Sequence, residues 1–409
     1  MKIGIFDHLC SRVGGSQYVI ARIAMKLSEK YEVKIIHFGN GYKLSDIEAA
    51  FNLDLGNVKE QIITEPFGSF SILSLRSLLY FLKKGLIEQH SITANYDLFI
   101  YSGHEIPPVS FAKQSMVYCH FPFQGSPKAE LSSLEKWRKR NWLGKTLRMS
   151  VFNFLWMMRM RRYCLIMANS HFTASWIKSL WAYPAEVIYP PVTIRPKMVR
   201  KENIIVSIGR IVDTDRKKIK DQLLAFPEFV KRTKDMWQLV IIGFCADLTQ
   251  DHAYLKFLKK IAKDMPVKFV INADRETLIQ KLSQAKLFWH TAGLGEKESI
   301  EARFMEHFGI ATVEAMMAGC VPLVPNCGGQ PEIVDNEISG FVCRDFNSLV
   351  ENSVRLANNE KLFIKMSKSA KECSEKFRTD VFDKQIEHYV IGSLKRGMRY
   401  RKHSDKIFS

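Results

Sequence analysis

Long apolar runs are missing from this sequence. No stretch of 18 consecutive apolar residues occurs among its 409 residues, which argues against a membrane-spanning helix. The apolar part of the first ten residues, MKIGIFDHLC, is too short for a signal peptide. Cys-x-x-Cys pairs are also absent, and several of the eight cysteines lie inside apolar runs. We therefore expect reduced core thiols in a cytosolic protein that is soluble or lies on a membrane surface.

Acidic residues are few relative to basic ones. The chain has 60 Lys and Arg against 42 Asp and Glu, a formal net charge of +18. Such a charge indicates nucleic acid, an anionic membrane surface or a highly phosphorylated substrate as a partner. The hydrophobic fraction of 46% and the charged fraction of 25% are those of a globular protein. A length of 409 residues exceeds one ordinary core, so we expect two domains.

Short apolar runs alternate with helix-like stretches along the chain. KIGIF, EVKIIHF, YDLFIYSG, QSMVYCHFPF, CLIMANS and AEVIYPPV are typical of strands, and SQYVIARIAMKLSEKY is typical of an amphipathic helix. The alternation breaks in IYPPVTIRPKMVRKEN, which has three prolines, and resumes with NIIVSIGR, WQLVIIGF, PVKFVIN, AKLFWHTAG and CVPLVPN. The pattern predicts an α/β fold of two Rossmann-like halves joined near residue 195. Ligands of such sheets bind beyond the carboxyl ends of the strands, which can form one cleft between the two domains.

Two motifs of the first half follow predicted strands. In SRVGGSQYVIARIA, Gly14 and Gly15 open the first helix, where backbone amides can approach an anion. A simple tight turn is the alternative interpretation. In YCHFPF, His120 ends an apolar strand and is well placed to meet a ligand, unless it only caps the loop. A Rossmann oxidoreductase is disfavoured, because no glycine fingerprint with a downstream acid follows either first strand.

The motif VSIGRIVDTDRKKIKDQLLAF follows the first strand of the second half. Arg210 comes directly after Gly209, and a polar turn then supplies further cations at Arg216, Lys217, Lys218 and Lys220. A diphosphate needs such cationic donors at a strand end. The alternative is a solvated charge run, but lysines at a helix start oppose the helix dipole, which favours a bound anion.

The stretch MEHFGIATVEAMMAG places two glutamates around a predicted helix start. We expect the helix to begin near Ile310, so that the amides of Gly309, Ile310 and Ala311 form an anion site. Glu314 lies about one turn inside this helix and can accept hydrogen bonds from a ribose diol. Glu306, before the helix, can reach a second set of hydroxyls or stabilise positive charge. Two carboxylates around a phosphate site suggest a nucleotide-sugar cradle.

Taken in order, GGSQ, YCHFPF, ANSHFT, GRIVDTDRKK and the Glu-x7-Glu stretch resemble the retaining family 4 glycosyltransferases of the GT-B fold. EHFGIATVEAMMAG and GGQPEIV are most similar to the branch of lipid-linked-oligosaccharide α-mannosyltransferases and bacterial polysaccharide relatives. The resemblance implies an acceptor-binding domain over residues 1–195 and a nucleotide-sugar-binding domain over residues 196–375. Residues 376–409 would form a helix that returns to the first domain, followed by a basic tail.

The resemblance also implies roles for single residues. Glu306 would contact the donor hexose beside its anomeric carbon, Glu314 the ribose, and His120 the sugar near the reaction centre. Arg210 and one lysine would neutralise the leaving diphosphate, which Gly15 would approach from the first domain. Counting back from LLAF favours Lys217 as that lysine and counting from Asp221 favours Lys218, so both remain candidates.

Charge governs the chemistry that this arrangement would support. Negative charge grows on the departing diphosphate as the anomeric carbon becomes cationic, and preorganised cations lower that barrier without a metal. No Asp-x-Asp motif follows a strand at a suitable place, because DTD at residues 213–215 is flanked by cations. We therefore expect no metal cofactor. The resemblance implies retention by front-face attack, with the departing phosphate accepting the proton of the acceptor.

Residues 136–162 form a basic segment with nine Lys or Arg, no acid and interleaved aromatic residues. This composition is typical of an interfacial membrane helix, and FSILSLRSLLYFLKKG is a second candidate. Alternatively, its apolar face packs on the first domain. The predicted membrane-surface residues are Lys136, Trp137, Arg138, Lys139, Arg140, Trp142, Trp156, Arg159, Arg161 and Arg162.

The sequence thus predicts a hexosyltransferase that uses a nucleotide-sugar donor, most similar to enzymes that use GDP-mannose. Its acceptor would be a glycan, or one carried on a polyprenyl diphosphate, and the protein would lie peripherally on the cytoplasmic face of a membrane. A UDP-sugar-dependent transferase of the same fold is the alternative. From a different class, a non-catalytic protein that binds nucleic acid or membrane is disfavoured, because it would leave the strand-end motifs without a purpose.

Overall fold

The structure is a computed structural model. It describes residues 1–8, 13–39, 41–63, 84–123, 150, 153–212, 214–245, 249–297 and 302–395. The chain divides into two compact units. One comprises Met1–Tyr189 together with the segment that begins at Phe382, and the other comprises Pro190–Val381. The sequence placed the corresponding boundaries after residues 195 and 375.

The first unit is built on a parallel sheet of seven strands in the order β3-β2-β1-β4-β5-β6-β7. Its central strands are apolar on both faces, as a sheet covered by helices requires: Ile3, for example, pairs with both Val33 and Leu98. The strands are β1 Lys2–Asp7, β2 Glu32–Phe38, β3 Val58–Ile63, β4 Leu98–Gly103, β5 Gln114–Cys119, β6 Tyr163–Ala168 and β7 Glu186–Val187.

Helices follow the strands of this sheet. They are α1 Gly15–Ser28, α2 Leu44–Phe51, α3 Leu86–Thr93 and α4 His171–Trp181, with residues 153–160 also helical. Ser170 caps α4, since its hydroxyl accepts a 3.0 Å hydrogen bond from the amide of Thr173. Such caps fix where a helix begins after a strand.

The second unit repeats the pattern with six parallel strands in the order β10-β9-β8-β11-β12-β13. The strands are β8 Glu202–Arg210, β9 Gln238–Phe244, β10 Val267–Ile271, β11 Ala285–Trp289, β12 Val321–Pro325 and β13 Phe341–Cys343. Its helices are α5 Ile219–Lys231, α6 Thr249–Ile261, α7 Arg275–Gln284, α8 Ile310–Met317, α9 Phe346–Ala357 and α10 Glu360–Ser374, and α11 Thr379–Ile386 begins at the end of this unit. Short 3₁₀ turns lie at Ala302–Phe304, Gln330–Glu332 and Glu375–Phe377.

The end of the described chain packs in the first unit. The chain enters that unit at Phe382, within α11, and continues through a π-helical turn at Glu387–Ile391 and α12 Gly392–Lys395. Phe382, Ile386 and Val390 are buried in the core of this unit, and Asp383 forms a 2.5 Å ion pair with Arg22 of α1.

The cysteines and apolar helices can be compared with the expectations from sequence. The seven cysteines that the structure describes are free, and five of them are buried. Within the described ranges, no helix is both long and apolar enough to cross a membrane.

Candidate functional site

Helix α8 begins where the sequence predicts, at Ile310. Gly309 precedes it with φ of +121°, a backbone conformation that L side chains rarely adopt. The buried side chain of Gln330 holds this turn, because its Nε2 donates to the carbonyl of Phe308 at 2.7 Å. Its Oε1 accepts from the hydroxyl of Thr312 at 2.8 Å. The first amides of α8 are thereby presented at a fixed place, as an anion site requires.

Two further glycines allow the loop before α8 to lie close to the turn after β12. A Cβ on Gly328 would be 2.3 Å from the carbonyl oxygen of Glu306, and one on Gly329 would be 2.4 Å from that of His307. The amide of Gly329 donates to the carbonyl of Glu306 at 2.9 Å. The backbone that carries Glu306 is therefore attached directly to the turn after β12.

The side chain of Glu306 faces a lysine and a histidine from two other elements. Its Oε2 lies 2.5 Å from Nζ of Lys217, in the turn before α5. The same oxygen lies 3.5 Å from Nε2 of His290, which directly follows β11. His290 is 2% exposed, and its amide donates to the carbonyl of Leu323 in β12 at 3.0 Å. Three elements of the second unit thus bring an acid, an amine and an imidazole together.

Burial and neighbouring charges determine the protonation states of Glu306 and His290. Burial alone would raise the pKa of Glu306, but the positive charge of Lys217, with a contribution from His290, outweighs it and lowers the pKa to about 2. Burial, reinforced by repulsion from Lys217, lowers the pKa of His290 to about 3. At neutral pH Glu306 is therefore a carboxylate and His290 a neutral imidazole.

The structure separates the two candidate lysines. Lys217 meets Glu306, and its stem passes over the end of β8, where a Cβ on Gly209 would lie 2.6 Å from its Cγ. Lys218 instead takes φ of +51° at the start of α5. Its ammonium donates to the carbonyl of Leu294 at 2.7 Å and to Glu296 at 2.6 Å. The count back from LLAF, which favours Lys217, therefore agrees with the contact to Glu306.

Arg210 and the turn that follows it complete this strand end. Arg210 is the last residue of β8 and is exposed. The carboxylate of Asp215, in the turn, accepts from the amides of Ile219 and Lys220 at 2.8 and 3.2 Å. Asp215 is thus engaged as a cap of α5. Among the described residues no group of three or more His, Cys, Asp or Glu is arranged to hold a metal ion.

Glu314 has a partner that the sequence did not indicate. Its Oε1 lies 2.5 Å from a guanidinium nitrogen of Arg275, the first residue of α7. Arg275 also donates to the carbonyl of Thr193 at 3.2 Å. The side chain of Glu314 is 8% exposed, so the guanidinium balances a largely buried carboxylate. Arg275 and His290 are the two charged or polar contacts of the predicted glutamates that pattern analysis missed.

Two predicted site residues lie in the first unit. His120 directly follows β5, is 6% exposed, and has its Nε2 2.9 Å from the hydroxyl of Ser102 at the end of β4. Its carbonyl accepts from Asn169 at 2.9 Å. Gly15 is the first residue of α1. Both lie at carboxyl ends of strands, as predicted, and their contacts with a donor stay predictions.

The basic segment is only partly described. Lys136, Trp137, Arg138, Lys139, Arg140 and Trp142 lie outside the described residues. The prediction for Trp156 was wrong: it is 7% exposed and packs with Trp181 at 6.2 Å between ring centroids. Arg159 is half-buried, and burial lowers its pKa to about 10. Arg161 and Arg162 are exposed.

Comparison with known proteins bears on this geometry. Residues 193–373 match the family model "Glycosyl transferases group 1". A GDP-Man:Man(3)GlcNAc(2)-PP-Dol alpha-1,2-mannosyltransferase of Dictyostelium discoideum is 21% identical over 99% of this chain and 87% of its own length. The protein of that name from Xenopus laevis is 32% identical over 40% of this chain and 34% of its own length.

A solved structure supports the same fold over almost the whole chain. Anabaena HepE, in complex with UDP and glucose, has a TM-score of 0.62 and 17% identity, covering 96% of this chain and 100% of its own. The chain has the GT-B fold. The family match includes Lys217, His290 and Glu306, which contact one another, and the pair Glu314 and Arg275. The GT-B fold and the similarity to lipid-linked-oligosaccharide mannosyltransferases that the sequence predicts are confirmed.

Proposed function

We propose that this transferase moves mannose from GDP-mannose to a lipid-linked glycan acceptor, in the synthesis of a cell-surface polysaccharide or glycolipid. The relatives from Dictyostelium and Xenopus carry this donor and a lipid-linked acceptor in their names. The observation that carries the proposal is the pairing of Lys217 with Glu306 at the start of α8. Lys217 supplies a cation that can neutralise a leaving diphosphate, and Glu306 supplies a carboxylate that can hold the hexose.

The proposed chemistry follows from these charges. Lys217 and Arg210 receive the negative charge that grows on the departing diphosphate, and the first amides of α8 supply further donors. Glu306 holds hydroxyls beside the anomeric carbon or stabilises its positive charge. We propose retention of configuration and independence from metal, because cations rather than a carboxylate set stand at the end of β8, where Asp215 is already bonded to α5.

Donor class is tested first by thermal shift. GDP, UDP and ADP are added separately to the full chain at micromolar concentration, with and without EDTA. We expect GDP alone to raise the Tm, and EDTA to leave that rise unchanged. A rise with UDP would identify the alternative donor class, and loss of the GDP effect in EDTA would contradict metal independence. No shift with any nucleotide, together with tight binding to RNA or DNA, would overturn the assignment.

The chain supplies a matched pair of variants for the diphosphate contact. Lys217→Met removes the ammonium beside Glu306, whereas Lys218→Met removes a neighbouring ammonium that pairs with Glu296. Transfer from GDP-mannose should fall by about 10²- to 10³-fold in Lys217→Met, the cost of removing one preorganised donor at a developing anion. Lys218→Met should retain transfer. Equal losses in the two variants would contradict the assignment of Lys217.

We further propose that the protein lies peripherally on the cytoplasmic face of an anionic membrane. Phe154 and Met158, four residues apart on the helical stretch 153–160, are 56% and 48% exposed. They share a helix face, and the exposed Arg161 and Arg162 follow. Apolar side chains beside cations favour insertion at an anionic interface.

Vesicle sedimentation tests this surface. The protein should bind vesicles that contain phosphatidylglycerol and leave pure phosphatidylcholine vesicles largely unbound. The double variant Phe154→Ser and Met158→Ser should weaken binding about tenfold or more, since two inserted side chains each contribute roughly 1 kcal/mol or more. Met236→Ser removes a side chain that is 92% exposed in the second unit and serves as the control. Unchanged binding of the double variant would refute the surface.

A further inference from the structure

His290 is a buried polar side chain that the proposed chemistry has not used. It is 2% exposed and lies at the carboxyl end of β11. Within the described part of the chain its Nε2 has no hydrogen-bond partner, although Oε2 of Glu306 is 3.5 Å away. At that separation a hydrogen bond is weak or absent. A buried nitrogen without a partner is costly, so a native protein has a reason to keep it there.

Lys217 holds Glu306 in the present structure, but the proposed reaction also requires Lys217 at the diphosphate. Its single ammonium lies 2.5 Å from the carboxylate. A diphosphate carries more negative charge than a carboxylate and competes for the same cation. Glu306, whose side chain is 27% exposed, then loses part of the positive charge that balances its carboxylate. Another donor within reach of Oε2 would compensate for this loss.

We propose that His290 is a positioning residue for Glu306: its neutral imidazole donates Nε2–H to Oε2 of that carboxylate when Lys217 turns to the diphosphate of a bound donor. The inference rests on the proposed function. A movement of well under 1 Å closes the 3.5 Å separation to an ordinary hydrogen-bond length. Glu306 then remains ionised and fixed in direction at the moment when positive charge develops on the hexose.

The surroundings suit a donor that stays neutral. The charged and titratable groups that face Glu306 are Lys217, His290 and His307. Burial lowers the pKa of His290 to about 3, so the neutral imidazole adds no second positive charge beside Lys217 and does not compete with it for the anionic donor. A neutral imidazole has one N–H. The backbone of His290 is bonded to Leu323 of β12 at 3.0 Å, which restricts where that N–H can point.

Release of GDP from GDP-mannose, followed from pH 4.5 to 8, tests the inference with the full chain. His290→Ala should lower kcat more than tenfold at pH 5. Once Lys217 has turned to the diphosphate, its charge no longer holds the pKa of Glu306 near 2. His290→Ala should therefore also move the acidic limb of kcat upward by about one pH unit, because a carboxylate that loses a hydrogen bond is easier to protonate. His290→Gln keeps an N–H donor and should recover most of the rate. A limb that does not move in His290→Ala, or equal loss with Ala and Gln, would overturn the proposal.

A second measurement does not need turnover. Nuclear magnetic resonance of the chain labelled with ¹⁵N at its histidines, with the His290 signal assigned by its loss in His290→Gln, is recorded with and without GDP. We expect the Nε2 signal to move on addition of GDP in the wild type and to stay in place in Glu306→Gln. If GDP binds and this signal moves while no GDP-mannose is consumed, the proposed function fails and the His290 contact stands. A signal that stays in place while GDP binds would refute the contact.

Discussion

Gly309 is a residue at which a single added methyl group should disturb the site strongly. Its φ is +121°, and a Cβ there would lie 2.0 Å from Nε2 of Gln330. In Gly309→Ala the strained backbone costs about 1–3 kcal/mol. Displacing Gln330 weakens its bonds to Phe308 and Thr312, at roughly 1 kcal/mol each. The sum is about 3–5 kcal/mol.

Thermal unfolding measures this cost. For a unit of this size a loss of about 3–5 kcal/mol corresponds to roughly 10 °C in Tm. Gly295→Ala is the matched control, because Gly295 also has positive φ, +78°, but a Cβ there meets nothing within 4 Å. The control should lose only a few degrees, from backbone strain of about 1 kcal/mol.

A double-mutant cycle isolates the steric clash between a Cβ at residue 309 and the side chain of Gln330. When Gln330→Ala is already present, adding Gly309→Ala should cost only the backbone strain, so the coupling energy between the two substitutions should be about 2 kcal/mol. The reasoning is refuted if Gly309→Ala and Gly295→Ala lower the Tm equally, or if the cycle shows no coupling.

Three further predictions concern charges. Burial lowers the pKa of His290 to about 3 in the folded protein, whereas in the unfolded chain the residue takes up a proton below about pH 6.5. The free energy of unfolding should therefore decrease as the pH is lowered through this window, by about 2 kcal/mol between pH 7 and pH 5. Urea unfolding at both pH values should show a smaller loss in His290→Gln, while His252→Gln, on the exposed side of α6, should behave as wild type. Arg275→Ala leaves the carboxylate of Glu314 without its guanidinium and should cost about 1–3 kcal/mol in the same assay, less in Arg275→Lys; no loss would contradict the pair. Lys201→Met removes an ammonium that donates to the carbonyls of residues 282, 285 and 318 at 3.2, 2.7 and 2.7 Å and should lower the Tm by several degrees, with Lys256→Met on the exposed face of α6 as the unaffected control.

Local sequence patterns predicted much of the fold, because each strand or helix consists of consecutive residues with its own apolar periodicity. EVKIIHF coincides with β2, and the run before Gly319 predicted the start of α8 at Ile310. Two strands were not predicted. β3, VKEQII, is a polar edge strand, and β13 has three residues. β3 has too few apolar residues, and β13 is too short, to give a period-2 signal.

Contacts between distant residues were not accessible in this way. Arg275 and Glu314 are 39 residues apart, and nothing in either segment indicates the other. His290 stands within an apolar run and shows its importance only through its distance to Glu306. Lys217 and Lys218 are adjacent in sequence, and the positive φ of Lys218 is what sends their amines to different partners.

The error at Trp156 has a simple geometric cause. Helical periodicity turns Trp156 and Met160 toward the core of the first unit, where both are buried. Phe154 and Met158, two residues out of phase with them, are exposed. An aromatic residue in a basic segment therefore belongs to the surface only if its place on the helix allows it.

The close approach of Gly328 and Gly329 to the carbonyls of Glu306 and His307 limits how this region can be exchanged between proteins of the GT-B fold. A side chain at either glycine would occupy the volume of the neighbouring backbone. A graft of the loop that carries Glu306 from another protein of this fold would therefore be compatible only if the turn after β12 came with it. For protein engineering, residues 305–309 and 328–330 form one module in two pieces of sequence, and donor preference is better altered through side chains around it.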